Sequence, residues 1–294
     1  MTTSSPPIAV AAVRPAPARP RGALAEIAAH RDLLFLLAAR DVRIRYKETV
    51  MGFAWALLLP LLVLASGVVI QFALTRVSGA PLDATRIAGV LVKSVPWSFF
   101  ATAVGFATAS VLTSASLVAK VWFPREVLPL ASVAAQSVDL AVAAVAMTAG
   151  LAALGVGGHA ASFWAVPLVG LLLALTAGLG LLFACANVFF RDVKYLVQVF
   201  LTYGIFFTPV FFDASVLGPR VTPWFMLNPV APILEGLRLA IVGGHDLLVP
   251  LRLADGTLAW TPAYLAWSVV AAVGSIVAGL VAFHRSQDLF AELL

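Results

Sequence analysis

Three stretches of this chain run without an ionisable side chain for longer than a soluble helix needs. Between Glu48 and Arg76 lie 27 residues free of Asp, Glu, Lys and Arg, between Lys93 and Lys120 lie 26, and between Asp255 and Arg285 lie 29. A helix needs roughly 20 apolar residues to cross about 30 Å of hydrocarbon, so each run is long enough to span a bilayer. Composition agrees: of 294 residues, 62% are hydrophobic and 11% charged, with a mean hydropathy of +1.01. Soluble domains carry roughly 45–50% apolar and about 25% charged residues. A chain this apolar has too few polar side chains to cover a water-facing surface, which excludes a soluble enzyme, a secreted disulfide scaffold and a nucleic-acid-binding module. The single cysteine, Cys185, sits in an apolar run and reads as a small buried hydrophobe.

The runs predict an all-α integral membrane protein. Six spans are expected, at 51–74, 96–118, 128–154, 163–190, 195–212 and 263–283, within a transmembrane domain over 51–283. They show no strand periodicity and far exceed the 9–11 residues of a barrel strand. The first 22 residues are Pro, Ala, Ser and Thr with scattered Arg, too polar to offset the entropy of ordering; residues 1–29 read as a disordered cytoplasmic tail. The apolar stretch Ile8–Val13 is too short for a secretory signal, so the first span is expected to stay as an anchor. Six spans put both termini on one side. With that side cytoplasmic, 13 of the 19 Lys and Arg residues lie inside, as the positive-inside rule requires. Residues 284–294 then form a cytoplasmic C-terminus, and the net charge of +5 reads as topology and attraction to membrane lipids. Six of the seven tryptophans fall near span ends or in connections, the interfacial position that amphipathic rings favour.

Two segments depart from a plain six-helix pattern. Residues 30–48 set Leu34, Leu37 and Ile44 on one helical face and Arg40, Arg43 and Lys47 on another, as in an amphipathic helix lying in the interface; a polar extension of the first span is the plainer alternative. Within the region 213–260, the apolar pieces Val221–Leu227 and Ala231–Val242 are interrupted by Asn228-Pro229 and Pro232. Twelve helical residues rise about 18 Å, too little to cross. They read either as re-entrant helices whose broken backbone is satisfied by protein or water, or as a surface loop.

The chemistry is sparse. There is no G-x-x-x-x-G-K-[ST] phosphate loop, no H-E-x-x-H, no nucleophile elbow, and the four histidines are dispersed. No cofactor is expected in this chain, and any ATP hydrolysis belongs to a partner. Asp139 stands out as the ionisable group at mid-span, about 16 Å from Leu128 by helical rise. It is read as hydrogen-bonded within the bundle to Gln136 or Ser137, as lining a polar cavity, or as a proton site, since intramembrane charge is costly and usually functional. Small residues recur every four positions at Ala101, Gly105, Ala109 and at Gly274, Ala278, Ala282, suiting internal packing or a homodimer seam. Aromatic residues cluster at Trp97, Phe99 and Phe100 and at Tyr203, Phe206, Phe207, Phe211 and Phe212; they serve either packing or stacking of sugar rings in a substrate channel. The short loop with Trp122, Phe123, Pro124, Arg125 and Glu126 carries residue types common at protein interfaces, though a solvated turn also accounts for it. Arg191, Asp192 and Lys194 form a second such loop.

Several of these pieces together resemble the membrane subunit of ABC-2 type exporters, in the branch that moves polysaccharides and polyol phosphates. They are Arg40-Asp41-Val42-Arg43-Ile44-Arg45-Tyr46-Lys47 with Gly52 and Trp55, then Val95-Pro96-Trp97-Ser98-Phe99-Phe100 and Lys120-Val121-Trp122-Phe123-Pro124-Arg125-Glu126. Phe190-Arg191-Asp192-Val193-Lys194-Tyr195, Thr208-Pro209-Val210 and Leu227-Asn228-Pro229 with Glu235-Gly236 and Arg238 follow in the family's order. The resemblance implies an interface helix (Arg40, Arg43, Arg45, Tyr46, Lys47), six spans and a pair of periplasmic gate helices (Asn228, Pro229, Glu235, Arg238). It implies a homodimer carrying two copies of a cytoplasmic ATPase that binds ATP and Mg, with coupling through Trp122 to Glu126, Arg191 and Asp192. The expected role is export of lipid-linked polysaccharide, an O-antigen-like glycan on an undecaprenyl carrier, across the bacterial inner membrane. Capsule, teichoic acid, a drug or a smaller lipid are the alternative cargoes; an ion-coupled carrier and a membrane-embedded glycan enzyme are the alternative classes. The proline at 232 departs from the family pattern and bears on the shape of the outer gate.

Overall fold

The computed structural model describes residues 23–293 apart from 48, 50–51, 80–81, 119–122 and 254–257. Helix α1 (Ala23–Ala29) leads into α2 (Arg31–Tyr46), followed by α3 (Trp55–Ser78), α4 (Ala84–Thr113), α5 (Ala115–Val118), α6 (Val127–Ala153), α7 (Ala165–Phe189) and α8 (Val193–Gly204). Two short helices, α9 (Thr222–Met226) and α10 (Val230–Ile241), precede an antiparallel pair of strands, β1 (Leu251–Arg252) and β2 (Leu258–Trp260), and the long α11 (Pro262–Leu293). Residues 23–29, assigned to the tail on composition, are therefore helical: Ala-Leu-Ala-Glu-Ile-Ala-Ala is a strong helix-forming run.

Among the described residues, five helices are long and apolar enough to cross a membrane, α3, α4, α6, α7 and α11, which makes this a multi-pass membrane protein. The fifth expected span, 195–212, is not one helix. Helix α8 ends at Gly204 after 12 residues, a 3-10 turn covers Ile205–Phe207, and residues 208–213 are non-helical before a second 3-10 turn at Ala214–Leu217. The cause is local: the Thr208 hydroxyl donates to the Gly204 carbonyl at 2.9 Å, and Pro209 cannot donate a helical N–H. Yet the chain must return here, because α7 and α11 run parallel. Gly178 meets Ser275, Leu181 meets Gly279 and Cys185 meets Ser286 in rising order. The turns at 123–126 and 190–192 define one end of the bundle, here called proximal; the opposite, distal end carries α9, α10 and the strand pair. The chain between α7 and α11 travels from proximal to distal in pieces.

Helix α4 is the buried centre of the bundle, while α3 is mostly exposed. The start of α4 is set by Asp83, whose carboxylate accepts the Arg86 N–H at 2.9 Å in an N-cap. Gly79, at φ 70°, ends α3. Hydroxyls of Ser94, Ser98 and Thr102 bond back to carbonyls three or four residues earlier, around the helix-internal Pro96. Lipid offers little hydrophobic drive for helices to associate, so close approach by small residues matters more. The α7–α11 seam uses it: a Cβ at Gly178 would lie 2.3 Å from Ser275 Oγ, and one at Gly279 would lie 2.6 Å from Leu181 Cβ. Gly274, on the stripe expected from spacing, faces open space.

Candidate functional site

At the proximal end, α2 packs along α6. Leu37 and Ala38 enter a cluster with Phe123, Val127, Leu128, Leu181, Cys185 and Phe283, and the C-terminal turn of α2 reaches the middle of α6. Arg45 Nη1 donates to Asp139 Oδ2 at 2.5 Å and to Gln136 Oε1 at 3.1 Å, and the Tyr46 hydroxyl donates to Asp139 Oδ1. The Arg45 guanidinium also lies 5.0 Å from the centroid of the Phe106 ring on α4. Burial and then the hydrogen bond to Asp139 push the Tyr46 phenol up to about 12. Asp139 is therefore hydrogen-bonded within the bundle, but to Arg45 and Tyr46 of α2, with Gln136 reached through the same guanidinium. The faces of α2 also differ from the sequence pattern: Ile44 is 68% exposed, whereas Arg45 and Tyr46 turn inward. A mid-bilayer carboxylate outweighs a leucine-type contact because an unpaired charge there is the costlier defect. Arg40, Arg43 and Lys47 are exposed, and Arg40 pairs with Asp41 at 2.9 Å.

The proximal turns divide by exposure. Phe123 is 5% and Glu126 2% exposed, and Pro124 is buried beside them, so these side chains hold the turn to the bundle. Arg125 is half-buried; Trp122 lies outside the described residues. The second turn is open: Phe190, Arg191, Asp192, Lys194 and Tyr195 are all exposed, and Lys194 Nζ sits 4.7 Å from the Tyr195 ring. Asn187 anchors this turn, donating to the Thr108 carbonyl at 3.0 Å and accepting the Lys194 N–H at 3.2 Å.

At the distal end, the broken stretch after α8 is satisfied by side chains from the long helices. Gln71 of α3 donates to the Phe211 carbonyl at 2.8 Å, and Lys93 of α4 to the Phe212 carbonyl at 2.6 Å. Non-helical backbone at membrane depth requires such partners. Asn228 links the two pieces: its Oδ1 accepts the Val230 N–H at 3.1 Å, starting α10, and its Nδ2 donates to Thr208 Oγ1 at 2.8 Å. Pro229 precedes the first turn of α10, where a missing N–H costs nothing. Pro232 sits in that first turn as well, which is why the proline is tolerated. Glu235 and Arg238 share one face of α10, with Arg238 Nη2 to Glu235 Oε1 at 2.6 Å. Two residues not singled out from the sequence complete this group. Lys93 Nζ lies 3.4 Å from Asp213 Oδ1 and 3.6 Å from Glu235 Oε2, and Arg238 Nε lies 3.1 Å from Asp213 Oδ1. Cutting spans at charge-free runs placed Lys93 in a loop; the Asp83 cap would have carried the helix back across it.

The aromatic residues separate into two sets. Trp97, Phe99, Phe100 and Phe211 are buried in the main core, with Trp97 and Phe100 ring centroids 5.8 Å apart. Tyr203, Phe206 and Phe207 are exposed and continue a stripe with Tyr195, Leu196, Val199 and Phe200 along α8. The face opposite is anchored by Val197, which is buried. The structure thus brings together no single aromatic track; it leaves one open face on α8.

A helical bundle of five long spans, a packed N-terminal helix and a distal pair of short helices held by buried charges defines a polytopic transport-type membrane domain. Residues 32–242 match the ABC-2 type transporter family, and the chain belongs to it. It is accordingly the membrane component of an ABC transporter, whose ATPase is its partner. Among curated relatives, an O-antigen export system permease protein RfbA from Klebsiella pneumoniae is 26% identical over 264 residues, covering 90% of this chain and 95% of the relative. A second from the same organism is 24% identical over the same shares. The O-antigen export system permease protein RfbA of Myxococcus xanthus is 29% identical over 246 residues, 80% of this chain and 91% of that protein.

Proposed function

We propose that this chain is the membrane subunit of an ABC exporter that moves a lipid-linked polysaccharide, an O-antigen-like glycan on an undecaprenyl carrier, across the bacterial inner membrane. The observation that carries the reading is that two relatives named as O-antigen export permeases align over 90% of this chain and 95% of their own length. The exposed aromatic face of α8 supports it, because rings stack against sugars without needing a particular sequence of them. The proximal end faces the cytoplasm, where most of the Lys and Arg residues lie, and both termini with it. The chain works as a homodimer with two ATPase subunits, which bind ATP and Mg. Coupling passes through the 123–126 and 190–192 turns, with Arg191 and Asp192 as the exposed contacts and Phe123 and Glu126 as the struts that carry force into α6. The bundle acids on which an ion-coupled carrier would rest, Asp139, Asp213 and Glu235, are each already ion-paired, to Arg45 and to Lys93 and Arg238.

Reconstitution with the ATPase tests the reading. Lipid-linked glycan should stimulate ATP hydrolysis and appear in the lumen of inside-out vesicles. Stimulation by a drug or simple lipid, with no response to the glycan, would move the chain to another ABC-2 cargo. Transport down a proton gradient without any ATPase would overturn the class.

A further inference from the structure

The four charges at the distal end come from three separate pieces of chain: Lys93 from α4, Asp213 from the broken stretch after α8, and Glu235 with Arg238 from α10. Every pair of pieces is joined by an ion pair, α4 to the stretch through Lys93–Asp213, α4 to α10 through Lys93–Glu235, and the stretch to α10 through Asp213–Arg238. The group sums to zero charge, so it is stable only as a set. Lys93 is its hub: fully buried, it also holds the Phe212 carbonyl at 2.6 Å. Glu235 Oε2, 3.6 Å from Lys93 Nζ, has no hydrogen-bond partner of its own among the described residues. Gly89, one turn before Lys93, leaves room for the Arg238 stem, which a Cβ there would approach to 3.3 Å.

A buried ion pair is a poor way to gain stability, since apolar side chains of the same volume do as well or better. What charges offer and apolar contacts do not is reversibility in water. Separating apolar faces of α4 and α10 into an aqueous passage exposes hydrocarbon to water. Separating Lys93 from Glu235 and Asp213 there lets each ion hydrate, which offsets the lost attraction. Asp213, partly exposed at the edge of the group, gives water its way in.

We propose that Lys93 is the pin of a charge lock that holds α10 and the stretch around Phe212 and Asp213 shut against α4, and that the distal side opens when its partners pass to water. The gate assignment rests on the export reading above; the lock is a property of this chain and is testable apart from cargo.

The experiment uses the permease–ATPase complex in liposomes, in a Cys185→Ser, Phe212→Cys background, and two readouts without glycan. One is labelling by a membrane-impermeant maleimide from the distal side; the other is passive release of a small hydrophilic dye without ATP. Lys93→Met, which removes both Lys93 ion pairs, should raise labelling by about tenfold or more, the equivalent of about 1.4 kcal/mol, and should make the liposomes leak. Lys93→Met combined with Glu235→Leu restores neutrality with an apolar contact, and should return labelling and leak to the parent level while abolishing ATP-driven export. Asp213→Asn, at the exposed edge, should increase labelling with the fold intact, which covers the case in which Lys93→Met does not assemble. Parent-like labelling and leak in Asp213→Asn and in any assembled Lys93→Met overturn the lock. Raised labelling in a complex that never exports glycan keeps the lock and removes the export reading instead.

Discussion

Phe123 and Glu126 change what a substitution in the proximal turn reports. Both are buried, so Phe123→Ala removes core packing before it removes any partner contact, and should lower the unfolding free energy of the purified chain by about 3–5 kcal/mol. Thermal unfolding in detergent checks this; an unchanged transition with loss of the copurifying ATPase would make Phe123 a docking contact instead. Arg191→Glu is the complementary change: the side chain is exposed, so stability should hold within about 0.5 kcal/mol while recovery of the ATPase falls. At Asp139 the expected cost of Asp139→Asn is on the order of 2–3 kcal/mol, because Arg45 stays behind without its carboxylate, and adding Arg45→Gln should recover part of it in a double-mutant cycle. The Tyr46 phenol adds a pH signature. Its folded value of about 12 lies above the ordinary 10.0, so both states are protonated at neutral pH and the contact contributes in full there. Stability falls only as pH rises through the window from 10.0 to about 12, where the unfolded chain releases the proton first. Alkaline unfolding with and without Tyr46→Phe measures it; a loss of stability on acidification that depends on Tyr46 would contradict it. The lone acid at Asp139 was legible from sequence, as was the basic helix before it. Their pairing was not, because two residues 94 apart share no spacing rule.

Elements were legible where charge-free length decides, and illegible where a backbone break does. Helices α3, α6, α7 and α11 follow from hydropathy alone. Helix α4 begins 12 residues before the expected 96 because Lys93 and Arg86 are inside it, and a buried lysine with three partners defeats any reading that ends spans at charges. The expected fifth span failed for the opposite reason: its composition is apolar throughout, but Gly204, Thr208 and Pro209 cut the helix, and the freed carbonyls find Gln71 and Lys93. Small-residue spacing likewise located α11 as a packing helix, but the seam inside this chain lies on another face than Gly274. The seam runs through Gly178, Ser275 and Gly279, so Gly178→Ala should destabilise by about 1–3 kcal/mol through overpacking against the Ser275–Ile276 backbone. Gly274→Ala, with nothing within 4 Å, should be neutral or slightly stabilising, as Ala favours a helix interior over Gly by up to about 1 kcal/mol. Paired unfolding curves in one detergent decide between the two faces, and equal effects would mean that the seam is not where these helices press together.

Among the described residues, open apolar faces include that of α3 with Leu58, Leu62, Val69 and Phe72, that of α11 with Val270, Val273 and Val277, and that of α8 and the turn after it with Tyr203, Phe206 and Phe207. Exposure of apolar side chains is unremarkable in a bilayer, where lipid tails cover them at no cost. The α8 face is rich in aromatic rings, with Tyr195, Phe200 and Tyr203 beside Leu196 and Val199, and its helix, too short to span, ends beside the charge-locked stretch. A surface that only met lipid would have no need to stop there; one that guided a chain of sugars toward the distal end would lead to the lock. Phe207 and Trp97 separate these roles. Phe207 is 70% exposed and Trp97 5%, with Trp97 packed beneath Gly204, where an added Cβ would lie 3.3 Å from its ring. Trp97→Ala should cost about 3–5 kcal/mol of stability and impair export through the fold. Phe207→Ala should leave unfolding within about 0.5 kcal/mol of the parent and the dimer intact by crosslinking, yet slow glycan export per ATP hydrolysed. Parent-rate export by Phe207→Ala and by Tyr203→Ala would return the α8 face to lipid and leave the distal lock without a track leading to it.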